Sequence, residues 1–239
     1  FIMISEESAI AQSAQAYAQN MDSYAKKGQL SNDRALIARV NQITGRIIYE
    51  AIIMRPDTRN WKWSMSVIDD PKTVNAWSMA GGRMALYTGL IEKIKPSDDE
   101  LAQVLAHEIA HALAKHTAEK MSVALATSLG VLAVGVATDN RNIATGASAA
   151  ALVAVTLPNS RTAESEADEI GIQLAARAGY NPAAAVTLWQ KMSKESGGSS
   201  FDFLSTHPSS GKRIERLQSL VPKMMPYYEE QKPHPVYPL

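Results

Sequence analysis

The chain has no cysteine among its 239 residues. That excludes disulfides, thiol nucleophiles and thiolate-bound zinc together, so a metal must be held by His, Asp or Glu. It assigns no compartment. An excess of either charge is also missing: 24 Lys and Arg stand against 24 Asp and Glu. Nothing in that balance points to nucleic acid or an anionic membrane surface. No internal repeat is present. The opening FIMISEES lacks the basic start and apolar core of a signal peptide, and removal of a targeting segment or lipid anchor would leave the same beginning.

What is present fits an ordinary globular protein. A hydrophobic fraction of 46% and a charged fraction of 20% argue against disorder. The length suits one domain with a sizeable core. Residues 5–28 read as a polar, alanine-rich helix. A second helix runs over about 31–53, with Leu36, Ile37, Val40, Ile43, Ile47 and Ile48 at helical spacing. WKWSMSVI, 61–68, alternates at period two and reads as a strand. TVNAWSMAGGRMALYTGL, 73–90, reads as two more strands around Gly81-Gly82. Together 31–95 predicts a helix and a small antiparallel sheet.

Everything after residue 90 reads as helix, which makes the fold class α+β and mostly helical. Ser97 and Glu100 form a capping box. Two apolar runs, 121–138 and 143–157, flank the polar turn DNRN. The first is just long enough to span a membrane, but its Ala, Gly, Ser and Thr content favours a buried or partner-facing hairpin. Further helices are expected over 160–178, after Asn181-Pro182, and from Pro208 to about Leu220. The proline-rich 221–239 reads as an extended tail behind a single domain, 1–220.

The stretch VLAHEIAHAL, 104–113, carries chemistry. On a helix His107 and His111 lie one turn apart and project together, as two imidazoles sharing one ion must. Glu108 lies on the adjoining flank, able to reach a metal-bound water. This is the H-E-x-x-H arrangement of zinc peptidases. A catalytic zinc needs a third protein ligand. His116 fails, because it lies about 160° around a continuous helix. In NSRTAESEADEIGIQLAARAG, 159–179, Glu164 and Asp168 share a flank with the small residues Gly171, Ala175 and Ala178. That flank suits a close helix–helix contact, where unpartnered carboxylates would be costly. Glu164 is therefore the third ligand, and Asp168 accepts the free ring N–H of a ligating histidine. Glu166 falls on the opposite, solvated flank.

HEIAH, RTAESEAD and STHPSSGKRIERL, in that order, resemble the HtpX, CAAX-prenyl-protease and Oma-type zinc metallopeptidases (metallopeptidase family 48, gluzincin type). VNAWSMAGGRMALYTGL resembles the strand pair before that family's metal helix. The resemblance covers about 65–220 and places the family's E-x-x-x-D motif on Glu164 and Asp168. It implies an oxyanion-stabilising role for His207 and a loop-orienting role for Arg213, which would otherwise read as a surface residue. It also implies a periplasmic or periplasm-facing branch. The expected activity is one-zinc endopeptidase cleavage of extended, unfolded or misassembled polypeptides. Glu108 is the general base, and an edge strand at Asn75 and Ala76 receives substrate. Membrane contact would come from an upstream anchor or the 121–157 hairpin. The rival reading is a chaperone-like scaffold that keeps the zinc fold and binds clients without cutting them.

Overall fold

In a computed structural model, residues 4–132, 149–195, 202–209 and 211–239 are described. Eleven segments matter for the site: α1 (Glu6–Lys26), α2 (Arg34–Met54), β1 (Ser64–Ile68), β2 (Ala76–Met79), β3 (Arg83–Tyr87), α3 (Thr88–Ile94), α4 (Asp98–Leu113), α5 (His116–Leu132), α6 (149–154), α7 (Arg161–Arg177) and α8 (Ala184–Glu195). Two more close the chain, α9 (Asp202–Thr206) and α10 (Arg213–Glu229).

The assembly is built around α4. Ser97 starts it: its hydroxyl accepts from the Glu100 N–H at 3.2 Å, and the Glu100 carboxylate accepts from the Ser97 N–H at 3.0 Å. From Glu100 to Leu113 every residue is buried. A helix without a solvent face must be covered on all sides, and α2, β2, α5, α7 and α8 supply the cover. The closest approach is by α7, where a Cβ added at Gly171 would lie 3.0 Å from the Cα of His107.

The sheet has order β1-β3-β2. β2 and β3 form the expected antiparallel hairpin, turning at Gly81 and Gly82 with φ of +87° and +80°. These left-handed values favour glycine. β1, however, runs parallel to β3, so the sheet is mixed rather than antiparallel. Alternation reveals that a segment is a strand and which faces it presents. It says nothing of direction, and residues 69–75 carry the chain past β3 to its far side. The alternation itself is obeyed. Met84 and Leu86 join the large core of α2, α4, α7 and α8. Ala85 and Tyr87 join a second cluster with Tyr17, Trp77, Ala118 and Met121.

The C-terminal expectation needs correction. The last helix starts at Arg213 and continues through Pro222 and Pro226 to Glu229. A proline inside a helix removes a donor, but both prolines and Gln218 are exposed, so the unused carbonyl of Gln218 faces water. Leu217, Leu220 and Met224 bury the other face and hold the helix together. Only 230–239 is non-helical. It lies on α2, with the Tyr237 N–H donating to the Gly45 carbonyl at 3.0 Å and Lys232 pairing with Glu50 at 3.0 Å. Of the expected apolar hairpin, 133–148 lies outside the described residues. Among the described residues no helix is long and apolar enough to cross a membrane.

Candidate metal centre

His107 and His111 project from α4 with their Nε2 atoms 3.0 Å apart. Glu164, in the first turn of α7, puts Oε1 3.0 Å from His111 Nε2 and Oε2 3.3 Å from His107 Nε2. The helix that delivers it begins at Ser160, whose side chain accepts from the Ala163 N–H at 3.0 Å. His207 joins them from the end of α9. Its Nδ1 lies 3.2 Å from His107 Nε2 and 2.9 Å from Glu164 Oε1. All four residues are buried.

The donor set fits zinc. Bonds of about 2.0–2.1 Å at tetrahedral angles separate neighbouring donors by roughly 3.3 Å. The contacts of His107 and Glu164 with the other donors run from 2.9 to 3.3 Å, Glu164 using Oε1 toward His111 and His207 and Oε2 toward His107, and all four donors lie within 4.8 Å of one another. Three ring nitrogens and a carboxylate crowded this closely cannot all be satisfied by hydrogen bonds to one another. Two buried acceptors show the strain in that arrangement: Glu164 Oε2 and Glu108 Oε1 lie within ion-pair reach of Arg213 and His207 but make no aligned hydrogen bond.

The electrostatics follow from burial and proximity. Burial pulls His107 down, but Glu164 and Asp168 outweigh it and raise its pKa to about 9. Burial dominates at His111, reinforced by His107 and His207, and lowers its pKa to about 3. Burial would raise Glu108, yet the imidazoles around it, His207 foremost, hold it below the usual carboxylate range. Glu164 is likewise held well below that range, burial being overcome by His107 first.

Around the donors lies a supporting shell. Asp168 Oδ1 is 3.1 Å from His107 Nδ1 and accepts from Arg213 Nη2 at 2.6 Å. Arg213 is buried rather than on the surface; its Nη1 lies 2.9 Å from Glu164 Oε2 and its guanidinium covers the Trp189 ring at 3.5 Å. Glu108 stands outside the donor set, its Oε1 3.0 Å from His207 Nε2. It lines a small cavity with Ser78, His111, Thr117, Lys120 and His207. At the edge of β2 the Asn75 carbonyl accepts from the Tyr87 N–H, which turns the Ala76 N–H away from β3, where Asn75 Oδ1 accepts from it at 2.9 Å; Asn75 is half-buried and Ala76 buried.

Residues 35–221 match the model of Peptidase family M48. The chain belongs to this family. Across 180 residues it is 38% identical to the mitochondrial metalloendopeptidase OMA1 of Schizosaccharomyces pombe, covering 74% of this chain and 52% of that protein. Against the OMA1 of Arabidopsis thaliana the identity is 40% over 157 residues, 65% of this chain and 31% of that one. The metalloprotease LoiP of Escherichia coli strain K12 is 29% identical over 153 residues, 62% and 58% of the two chains. The chain thus spans about half the length of the fungal relative. The periplasmic placement is overturned here, because several family relatives, in fungi and in a plant, are named mitochondrial proteins.

Two departures from the sequence reading stand out. The sequence places His207 beside the reacting carbonyl; in the structure its Nδ1 also lies among the possible donors, 2.9 Å from Glu164 Oε1 and 3.2 Å from His107 Nε2. His116 was set aside because a continuous helix would turn it away. The helix is not continuous: α4 ends at Leu113, Lys115 takes φ +65°, and His116 opens α5 with its Nδ1 2.9 Å from His111 Nδ1. Two further residues fix His207. Asn159 donates to the Thr206 carbonyl at 3.1 Å, and the Phe203 ring stacks on His207 at 4.3 Å. Asn159 reaches the His207 segment from 47 positions away, which no local pattern encodes, whereas Phe203 is a local neighbour four positions before His207 whose role the sequence reading passed over.

Proposed function

We propose that this chain is a zinc-dependent endopeptidase that hydrolyses peptide bonds in unfolded or misassembled polypeptides. One observation carries the reading: a buried carboxylate, Glu108, adjoins three imidazoles and an acid without belonging to the donor set. His107, His111 and Glu164 would hold the ion, one per chain. Zinc, when bound, polarises the scissile carbonyl and acidifies a water. Glu108 takes the water's proton and delivers it to the leaving amine nitrogen. His207 moves off Glu164 to admit substrate, and its ring N–H then faces the developing oxyanion. Asp168 and Arg213 keep His107 and Glu164 in place meanwhile. An extended substrate would pair with the Ala76 N–H, buried in this structure, only once the Asn75 side chain that covers it is displaced.

The test is Glu108→Gln. Cleavage of an unfolded protein such as casein should be lost while about one zinc per chain is retained, the count a single site gives. Retained cleavage sinks the assignment of the base. One observation favours the rival reading, a zinc-held scaffold that binds clients without cutting them: four protein donors are the number that closes a structural zinc site. Wild-type protein that suppresses client aggregation, cleaves nothing, and is unaffected by Glu108→Gln would establish the rival.

A further inference from the structure

Of the two histidines that the metal reading leaves unused, His116 and His234, only His116 touches the site. It is 4% exposed, and both of its ring nitrogens are engaged. Nδ1 faces His111 Nδ1 at 2.9 Å, and Nε2 faces Glu166 Oε2 at 2.9 Å. Burial alone requires that a polar ring find partners. It does not require that the partners form a chain with a direction, and this one has a direction.

The far end fixes it. An ionised carboxylate only accepts, so the proton of the His116 ring sits on Nε2 and is donated to Glu166. With one proton per ring, His116 Nδ1 then carries the lone pair. His111 must donate to it from Nδ1, which leaves the His111 lone pair on Nε2. That is the atom 3.0 Å from both His107 Nε2 and Glu164 Oε1, in the middle of the donor set; the direction belongs to the metal-loaded site, where Glu164 would face the ion instead of accepting a proton from His111 Nε2. Resting on the metal reading above, we propose that His116 and Glu166 are positioning residues that lock His111 in its metal-binding tautomer and orientation.

The arm has a counterpart across the site. Asp168, steadied by Arg213, lies 3.1 Å from His107 Nδ1, without an aligned hydrogen bond in this structure, and is placed to accept that ring N–H when His107 Nε2 turns its lone pair to an ion. Both arms end on carboxylates of α7, the helix that also supplies Glu164. One arm is direct. The other needs His116 as a spacer, because Glu166 lies on the opposite flank of α7 and its side chain is 53% exposed. The break at Lys115 turns the chain back so that His116 reaches both His111 and Glu166.

The experiment compares zinc affinity, by competition with a chromophoric chelator, in wild type, His116→Ala, His116→Asn and Glu166→Gln. Outer-shell partners of ligating histidines typically change metal affinity about 10–100-fold. His116→Ala should weaken zinc binding within that range. Asn places an acceptor near the former Nδ1, so His116→Asn should recover most of the loss. Glu166→Gln, at an exposed position, serves if the alanine variant does not fold, and should weaken binding several-fold. The His111 ring N–H of the zinc-loaded protein gives a second readout by NMR: its Nδ1 proton should exchange slowly with water in wild type and faster in His116→Ala. Equal zinc affinity in wild type, His116→Ala and Glu166→Gln overturns the proposal, as does an unchanged exchange rate of the His111 Nδ1 proton. Wild type that takes up no zinc overturns the metal reading itself and this inference with it.

Discussion

Arg213 shows what a single residue decides at this site. Its guanidinium is 4% exposed and serves two buried acids, Asp168 at 2.6 Å and Glu164 at 2.9 Å. Removing one partner of a buried ion pair leaves charge uncompensated and typically costs about 3–5 kcal/mol, whereas surface substitutions stay within about 0.5 kcal/mol. Arg213→Leu should therefore destabilise the metal-free protein by several kcal/mol in urea denaturation. A change inside the surface range would return Arg213 to the surface role its sequence position allowed. The same residue marks a limit of sequence reasoning. Its match to a family motif located it, but nothing local showed that it reaches back 45 and 49 positions to α7. Glu164 and Asp168 were legible because burial of a carboxylate on a small-residue flank has only a few physical resolutions. His116 is hidden from sequence for an equally physical reason: helical periodicity presumes a straight helix, and the positive φ at Lys115 has no signature when lysine supplies it.

At the scale of elements, α4 and its fit against α7 set the geometry that brings the donors together. The cap at Ser97 was fully legible, because a capping box is a local pattern. Ser97→Ala should cost about 1 kcal/mol, the usual worth of such a cap, read by chemical denaturation. Glu100 adds a pH dependence. Burial would raise its pKa, but the hydrogen bonds from Lys191 and Ser97 hold it below the ordinary glutamate value. A depressed carboxylate contributes stability above its unfolded pKa and loses it as pH falls through its folded one. Glu100→Gln should accordingly flatten the fall in stability below about pH 4.5; an unchanged acid limb would exclude this pair as a source. Gly171 makes a sharper test. Replacing glycine by alanine inside a helix ordinarily gains up to about 1 kcal/mol. Here the new methyl would meet the His107 backbone at 3.0–3.1 Å. Gly171→Ala should lower stability and zinc affinity together, and a stabilised variant would show that the two helices can part at no cost. The close approach was readable from the small residues on that flank. The strand direction was not, since alternation is the same for parallel and antiparallel neighbours, and neither was the helix through Pro222 and Pro226, where packing of Leu217, Leu220 and Met224 overrides a local breaker.

For the whole molecule, the donors join stretches far apart in sequence: His107 and His111 on α4, Glu164 on α7, and His207 behind α9. An ion at their centre would bind the folded chain and not the unfolded one, which cannot assemble the set, so it adds stability by mass action. At free zinc a thousand times its dissociation constant the gain is about 4.1 kcal/mol, and for a protein of this size each kcal/mol moves the melting temperature by roughly 2–4 °C. Chelation should lower the melting temperature by about 8–16 °C on those two figures, and added zinc should restore it. The metal-free protein should nonetheless stay folded, unlike a zinc finger, for two reasons visible in the structure. The large core of α2, α4, α7 and α8 closes without any metal ligand among its apolar members, and Arg213 still compensates Glu164 and Asp168 when no ion is present. Calorimetry with and without chelator separates the possibilities. Unfolding on chelation would mean that the ion holds the fold together, and the site would then be structural. No shift at all, with zinc in excess, would mean that the four converging donors bind nothing, and peptide hydrolysis through them would have to be abandoned.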